Sequence, residues 1–165
     1  LLSFVGRRAF DRIGIVVFGR NAFLLSPPTL DKGVLAALVN KLDLSIISGE
    51  GTANGDAVGT SVARLRRSQA RSKVVILITD GDSNAGTVTP EYSIRLAQGQ
   101  STRIYTVQIG NGDIAEVLDH HDLFGQPVYV RKKFPVNPAL LQKMAKETGG
   151  DAYIATDRKD RKSVV

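Results

Sequence analysis

The sequence predicts an α/β domain built on a doubly wound, mostly parallel sheet, and three observations carry that expectation. Short aliphatic runs alternate with segments of helical apolar spacing through the second half of the chain. Lys73 to Thr79 is an almost uninterrupted apolar run, as in strands that are covered on both faces. Such runs end in clusters of turn formers, Asp80-Gly81-Asp82-Ser83-Asn84 and Gly110-Asn111-Gly112. At 165 residues the chain suits one domain over 1–165 with a sizeable core, and is too short for two ordinary ones.

The elements follow in order. Leu1, Leu2, Phe4 and Val5 read as part of a helix. Arg12 to Phe18 is a strongly aliphatic strand. Ala22 to Leu25 is a second one, so close behind it that an antiparallel hairpin follows, giving the sheet one antiparallel edge strand. Asp31 caps a helix to about Leu42, with Val34, Leu35, Leu38, Val39 and Leu42 at helical spacing. The glycine-rich loop Ser48 to Thr52 leads into a helix to about Gln69. Lys73 to Thr79 is the next strand, and Thr89-Pro90 opens a helix in the usual way, a threonine cap with proline in the first turn. Arg103 to Ile109 is a strand, after which about 113–135 reads as an irregular insertion with a short hairpin near Gly125-Gln126. Asn137-Pro138 starts a last helix, Gly149-Gly150 ends it, and Ala152 to Ala155 is a final short strand.

Composition excludes several classes. Hydrophobic residues at 42% and charged residues at 23% describe a globular chain rather than a disordered one. The absence of cysteine removes disulfides, thiolate metal sites and a cysteine nucleophile. The net charge of +6 is spread along the sequence, at Arg7-Arg8, Arg64 to Lys73, Arg131 to Lys133 and Arg158 to Lys162. Six Phe, four Tyr and no Trp are not interleaved with these clusters, so no nucleic-acid surface is expected. The basic residues read as solvated surface, with phosphate or anionic-surface contact as the second reading. The longest aliphatic run, Val74 to Ile78, is too short to span a bilayer. No signal peptide is visible, and the opening on Leu1 inside a helix reads as an N-terminally truncated fragment of a longer protein.

Ligands of open α/β sheets bind outside the carboxyl ends of the strands. Gly51-Thr52 and Thr79-Asp80-Gly81 map there and offer a threonine hydroxyl and a carboxylate, donors that suit a hard cation such as Mg²⁺. Taken singly, Thr52 reads as a helix N-cap and Asp80 as a turn residue. Gly81 is a candidate for a supporting role around the ion, and Asp82 and Asn84 are candidates for the same or, the favoured reading, for shaping the turn. Asp56 is explained by its place in the first turn of a helix. Gly49 to Gly55 is one residue too long for a dinucleotide fingerprint, yet it follows a possible strand at Leu44 to Ile47. A nucleotide-binding Rossmann-type enzyme is therefore the alternative. His120-His121-Asp122 has no ligand spacing, and Ser45, Ser48 and Ser61 lack an esterase context. No catalytic constellation is found.

Three segments in order sharpen the reading: Asp11 to Phe18 (DRIGIVVF), Gly51 to Ala57 (GTANGDA) and Ile76 to Gly81 (ILITDG). Arg103 to Gly110 (RIYTVQIG) and Thr148-Gly149-Gly150 continue the series. Together they resemble the von Willebrand factor A (vWA) domain, a Rossmann-like fold, in the flavour of the bacterial Bat aerotolerance proteins. The resemblance covers nearly the whole chain. It implies a metal-ion-dependent adhesion site (MIDAS) for Mg²⁺ or Mn²⁺, with Thr52 and Asp80 as two of its usual five side chains. Its D-x-S-x-S loop is absent from this sequence and is expected upstream, with the first, central strand of the sheet.

Cation binding by this fragment is accordingly expected to be weak or absent, and its unpaired inner edges favour oligomers. The resemblance further implies a non-enzymatic adhesion module that captures an acidic side chain of a protein partner. The parent would be a membrane-anchored cell-envelope protein, with an AAA-type, chaperone-like ATPase in the same system. A metal-independent vWA scaffold remains a third reading beside the enzyme.

Overall fold

A computed structural model of the chain describes residues 2–42, 51–80, 82–109, 114–121, 126–133 and 136–155. The segment Leu44 to Ile47, most of the glycine-rich loop before Gly51, and Gly81, Gly110 to Gly112 and Asp122 lie outside the described residues.

Helix α1 (Leu2–Gly6) precedes a hairpin of β1 (Ile13–Phe18) and β2 (Ala22–Thr29), antiparallel as expected. β2 runs further than Leu25 and takes in Pro27 and Pro28. Among the described residues it pairs with β1 alone, so prolines, which have no N–H to donate, are tolerated on its other side. Asp31 caps α2 (Lys32–Asn40) by accepting a hydrogen bond from the Val34 amide at 2.9 Å. α2 buries Leu35 and α1 buries Val5, and the two helices touch each other.

The second half is a parallel sheet. β3 (Lys73–Thr79), β4 (Thr102–Ile109) and β7 (Ala152–Ala155) lie in that order, with Lys73 opposite Thr102 and Thr106 opposite Ala152. Helix α3 (Asn54–Leu65) precedes β3, α4 (Pro90–Gly99) links β3 to β4, and α5 (Pro138–Glu147) leads to β7. α4 begins as expected, Thr89 Oγ1 accepting from the Tyr92 amide and Pro90 filling the first turn. Asn137 caps α5 in the same manner through Leu140. The segment expected to be irregular forms instead a longer hairpin, β5 (Ile114–His121) against β6 (Pro127–Lys133), with His120 and His121 at the end of a strand.

One core joins the three long helices to the sheet: Ala57, Val58 and Val62 of α3, Val75 and Leu77 of β3, Ile94 and Ala97 of α4, Ile104 of β4, and Leu141 and Met144 of α5. Thr148 fastens α5 to β4, its hydroxyl donating to the end of the helix while accepting from the Ile104 amide at 2.9 Å. Gly150 then passes so close to β4 that a Cβ would stand 2.1 Å from the Ile104 carbonyl oxygen, which leaves room for hydrogen only.

The apolar run of β3 implies cover on both faces, yet only one is covered. Val75, Leu77 and Thr79 are buried beneath the helices, while Val74, Ile76 and Ile78 stay about 40% exposed. Right-handed crossovers explain the asymmetry. Strands β3, β4 and β7 follow one another in a single direction, so their connecting helices fall on the same face. A helix reaches the opposite face only where strand order reverses, and no such reversal occurs in this parallel sheet.

Candidate functional site

The carboxyl edge is assembled from three loops. β1 ends at Phe18 and Gly19, the segment Gly51 to Ala53 enters α3, and β3 delivers Asp80. β1 and β3 are not hydrogen-bonded to each other, and α3 lies across both. Between them runs an open cleft of about 330 Å³ lined by Val16 to Gly19, Gly51 and Thr52, and Ile78 to Asp80. The two oxygen donors singled out by sequence therefore face one space although 28 positions separate them in the chain.

Backbone hydrogen bonds hold the three loops together. The Ala53 amide donates to the Gly19 carbonyl at 2.7 Å. The Thr52 amide donates to Asn84 Oδ1 at 2.8 Å, and the Thr52 carbonyl accepts from the Asn84 and Ala85 amides at 3.1 and 3.3 Å. Gly51 adopts φ +134°, and a Cβ there would meet that of Ala85 at 2.8 Å. Glycine is required on both counts.

Asp56 does more than sit near a helix dipole. Its carboxylate accepts from the Thr87 amide at 3.0 Å and from the Val88 amide at 2.6 Å, clamping the loop after β3 onto α3. For Asn84 and Asp56, sequence reasoning found the residues but missed their long-range roles. Both belong to ordinary turn and helix-start patterns, and their partners lie about 30 residues away in the chain.

Thr52 is not the N-cap of α3. Ala53 holds that position, with no side-chain cap. Among the described residues neither the Thr52 hydroxyl nor the Asp80 carboxylate has a hydrogen-bond or ion-pair partner. Asp82 is partly committed, its Oδ1 accepting from the Ser83 amide at 2.8 Å, which is the geometry of a turn-shaping residue. Among the described residues no group of three or more His, Cys, Asp or Glu could hold a metal. The donors fit a hard cation in kind, being oxygen ligands with one carboxylate, but they are too few to hold one tightly.

The fold and this edge define a class, and the chain belongs to it: the von Willebrand factor type A domain family, whose model matches residues 2–163. Domains of this family are generally interaction modules and can bind a divalent cation at a MIDAS. Its structural neighbours include Bat-type aerotolerance proteins. An aerotolerance-related membrane protein from Bacteroides fragilis is 24% identical, covers 95% of this chain and 77% of its own, and superposes with a TM-score of 0.71. BatB from Bacteroides thetaiotaomicron is 21% identical with a TM-score of 0.73, over 94% of this chain and 76% of its own. Proximal thread matrix protein 1 of the mussel byssus, with a zinc-occupied MIDAS motif, is 18% identical with a TM-score of 0.67, over 94% of this chain and 35% of its own. An uncharacterized protein of Borreliella burgdorferi is 27% identical over 157 residues, 94% of this chain but 45% of its own length. The chain thus spans less than half of that curated relative.

Proposed function

We propose that this chain is the recognition part of an adhesion or interaction module, not an enzyme, and that its cleft helps hold a divalent cation. The observation that carries the reading is the convergence of Thr52 and Asp80, two otherwise uncommitted oxygen donors, on one cleft at the carboxyl edge. A Mg²⁺ or Mn²⁺ ion held there keeps water in its remaining positions, and an acidic side chain of a partner protein displaces one of them. The ion serves as an oriented positive charge, and no bond is broken. Asp82 and Gly81 support the loop around it. The parent protein is placed in the cell envelope with a membrane anchor, in keeping with the neighbour described as a membrane protein. An AAA-type ATPase is proposed as a component of the same system.

The remaining ligands are expected from an upstream D-x-S-x-S loop. The test is calorimetric titration of Mg²⁺ and Mn²⁺ into the protein extended upstream by about 30 residues, one β-α unit, with Asp80→Ala as control. Binding that disappears in the variant supports the reading. No binding in either protein defeats it and leaves a metal-independent interaction domain.

A further inference from the structure

We propose that the opposite, amino edge of the parallel sheet is a docking face for an anionic membrane surface. Arg64, Arg66, Arg67, Arg71 and Lys73 fall within one short stretch of the sequence, and the fold brings Arg103 of β4 to the same edge. α3 ends at Leu65, the chain turns at this edge, and β3 leaves it at Lys73. β4 starts beside it, with Thr102 opposite Lys73 and Arg103 opposite Val74. Arg71, Lys73 and Arg103 line an open cleft of about 440 Å³ together with Ser72 and Ser101, two hydroxyls able to donate to phosphate oxygens.

All six cations are exposed except Lys73, which is half-buried, and among the described residues none is engaged in an ion pair. Glu147 is the acidic residue of the cleft. Arg64, in the last turn of α3, is accounted for by the negative end of its helix. Arg71, Lys73 and Arg103 stand just before or on strands, and share their cleft with the carboxyl ends of α4, at Gln98, and of α5, at Glu147 and Thr148. Three uncommitted cations in one open cleft, flanked by three more, complement a surface of phosphate groups.

A lipid surface suits this edge better than a nucleic acid. Among the described residues the exposed aromatics Phe4, Phe10, Phe23, Tyr92, Tyr129 and Tyr153 all lie outside the segments that form it, so these offer no platform for bases there. Docked by this edge, the domain would turn the Thr52–Asp80 cleft away from the bilayer, towards a partner. The inference does not require that cleft to hold a cation.

The test is flotation of the chain with phosphatidylcholine–phosphatidylglycerol vesicles, which separates bound protein from any aggregate. Each basic side chain near such a surface strengthens binding about fivefold. Arg71→Gln/Lys73→Gln/Arg103→Gln is therefore expected to bind about a hundredfold more weakly, and the native chain to stay off pure phosphatidylcholine. Binding should vanish near about 1 M salt, where the screening length falls to about 3 Å. Lys143→Gln, on the outer side of α5, should change nothing beyond the general charge effect. If circular dichroism shows the triple variant unfolded, the three single variants are measured instead, each expected to lose about fivefold. Undiminished binding by those variants overturns the proposal. So does tighter binding to a DNA duplex than to the vesicles, or displacement by millimolar inorganic phosphate, which would mark a small-anion site.

Discussion

Two glycines on one helix should respond to the same substitution with opposite signs. Gly55 and Gly59 lie one turn apart on α3, both buried against the loop after β3. Helix propensity alone says that alanine at either position stabilises, by about 1 kcal/mol in a helix interior. At Gly59 a new Cβ would sit 3.7 Å from Val88 Cγ1, an ordinary contact. Propensity and a newly buried methyl then add, and Gly59→Ala should gain about 1–1.5 kcal/mol.

At Gly55 the same Cβ would stand 2.0 Å from the Val88 carbonyl oxygen and 2.9 Å from the Thr89 carbonyl carbon. These are backbone atoms, so relief requires the loop to move by more than about 1 Å, counted from ordinary contact near 3.5 Å. That movement pulls the Val88 amide away from Asp56. Overpacking costs about 1–3 kcal/mol, and a weakened charged hydrogen bond about 1.5–3 more. Gly55→Ala should therefore lose about 3 kcal/mol or more despite its better propensity. Urea denaturation followed by circular dichroism reads both variants. If Gly55→Ala is as stable as the native chain, or more so, the close approach of Val88 to α3 is wrong.

Other expectations follow from the same contacts. Asp56→Ala removes the acceptor of two loop amides and should cost about 2–4 kcal/mol, with faster hydrogen exchange at Thr87 and Val88; a loss below about 0.5 kcal/mol would deny the clamp. Asn54 is fully buried and among the described residues neither its amide nitrogen nor its oxygen has a partner, so Asn54→Leu should raise stability by about 1–2 kcal/mol in thermal or urea melts; a fall would show that the amide is satisfied. Calorimetry on this chain alone should detect negligible Mg²⁺ binding, and millimolar or tighter affinity would mean that Thr52 and Asp80 suffice. The unpaired edges beside the cleft and the half-exposed Val74, Ile76 and Ile78 should make the chain self-associate in light scattering. A monodisperse, cooperatively folding monomer would contradict that.

Local signals settled most of the architecture. The caps at Asp31, Thr89 and Asn137 lie where short-range hydrogen bonding puts them, because a cap and its acceptor are three residues apart. The strands at Ile13, Lys73 and Thr102 follow from apolar runs, and the order of the glycine, threonine and aspartate motifs specifies the family. Element ends were less legible, since α3 stops at Leu65 rather than Gln69 and β2 continues through two prolines. The β5–β6 hairpin was legible only as a short one near Gly125-Gln126, because its residues carry no clean alternation of apolar and polar positions.

Tertiary structure alone decided what the loops do. Asn84 and Asp56 look like turn and helix-start residues until their partners, about 30 residues away, are brought beside them. Thr52 reads as a cap by position, but the helix starts one residue too late for its hydroxyl to serve. Arg103 stands apart from the basic stretch Arg64 to Lys73 until the crossover from β3 to β4 returns the chain to the same edge. Periodicity and capping depend on neighbours within a turn or two, so the sequence shows them directly. The cleft, the clamp and the basic edge depend on which strand lies beside which, and that is set by how the crossovers pack.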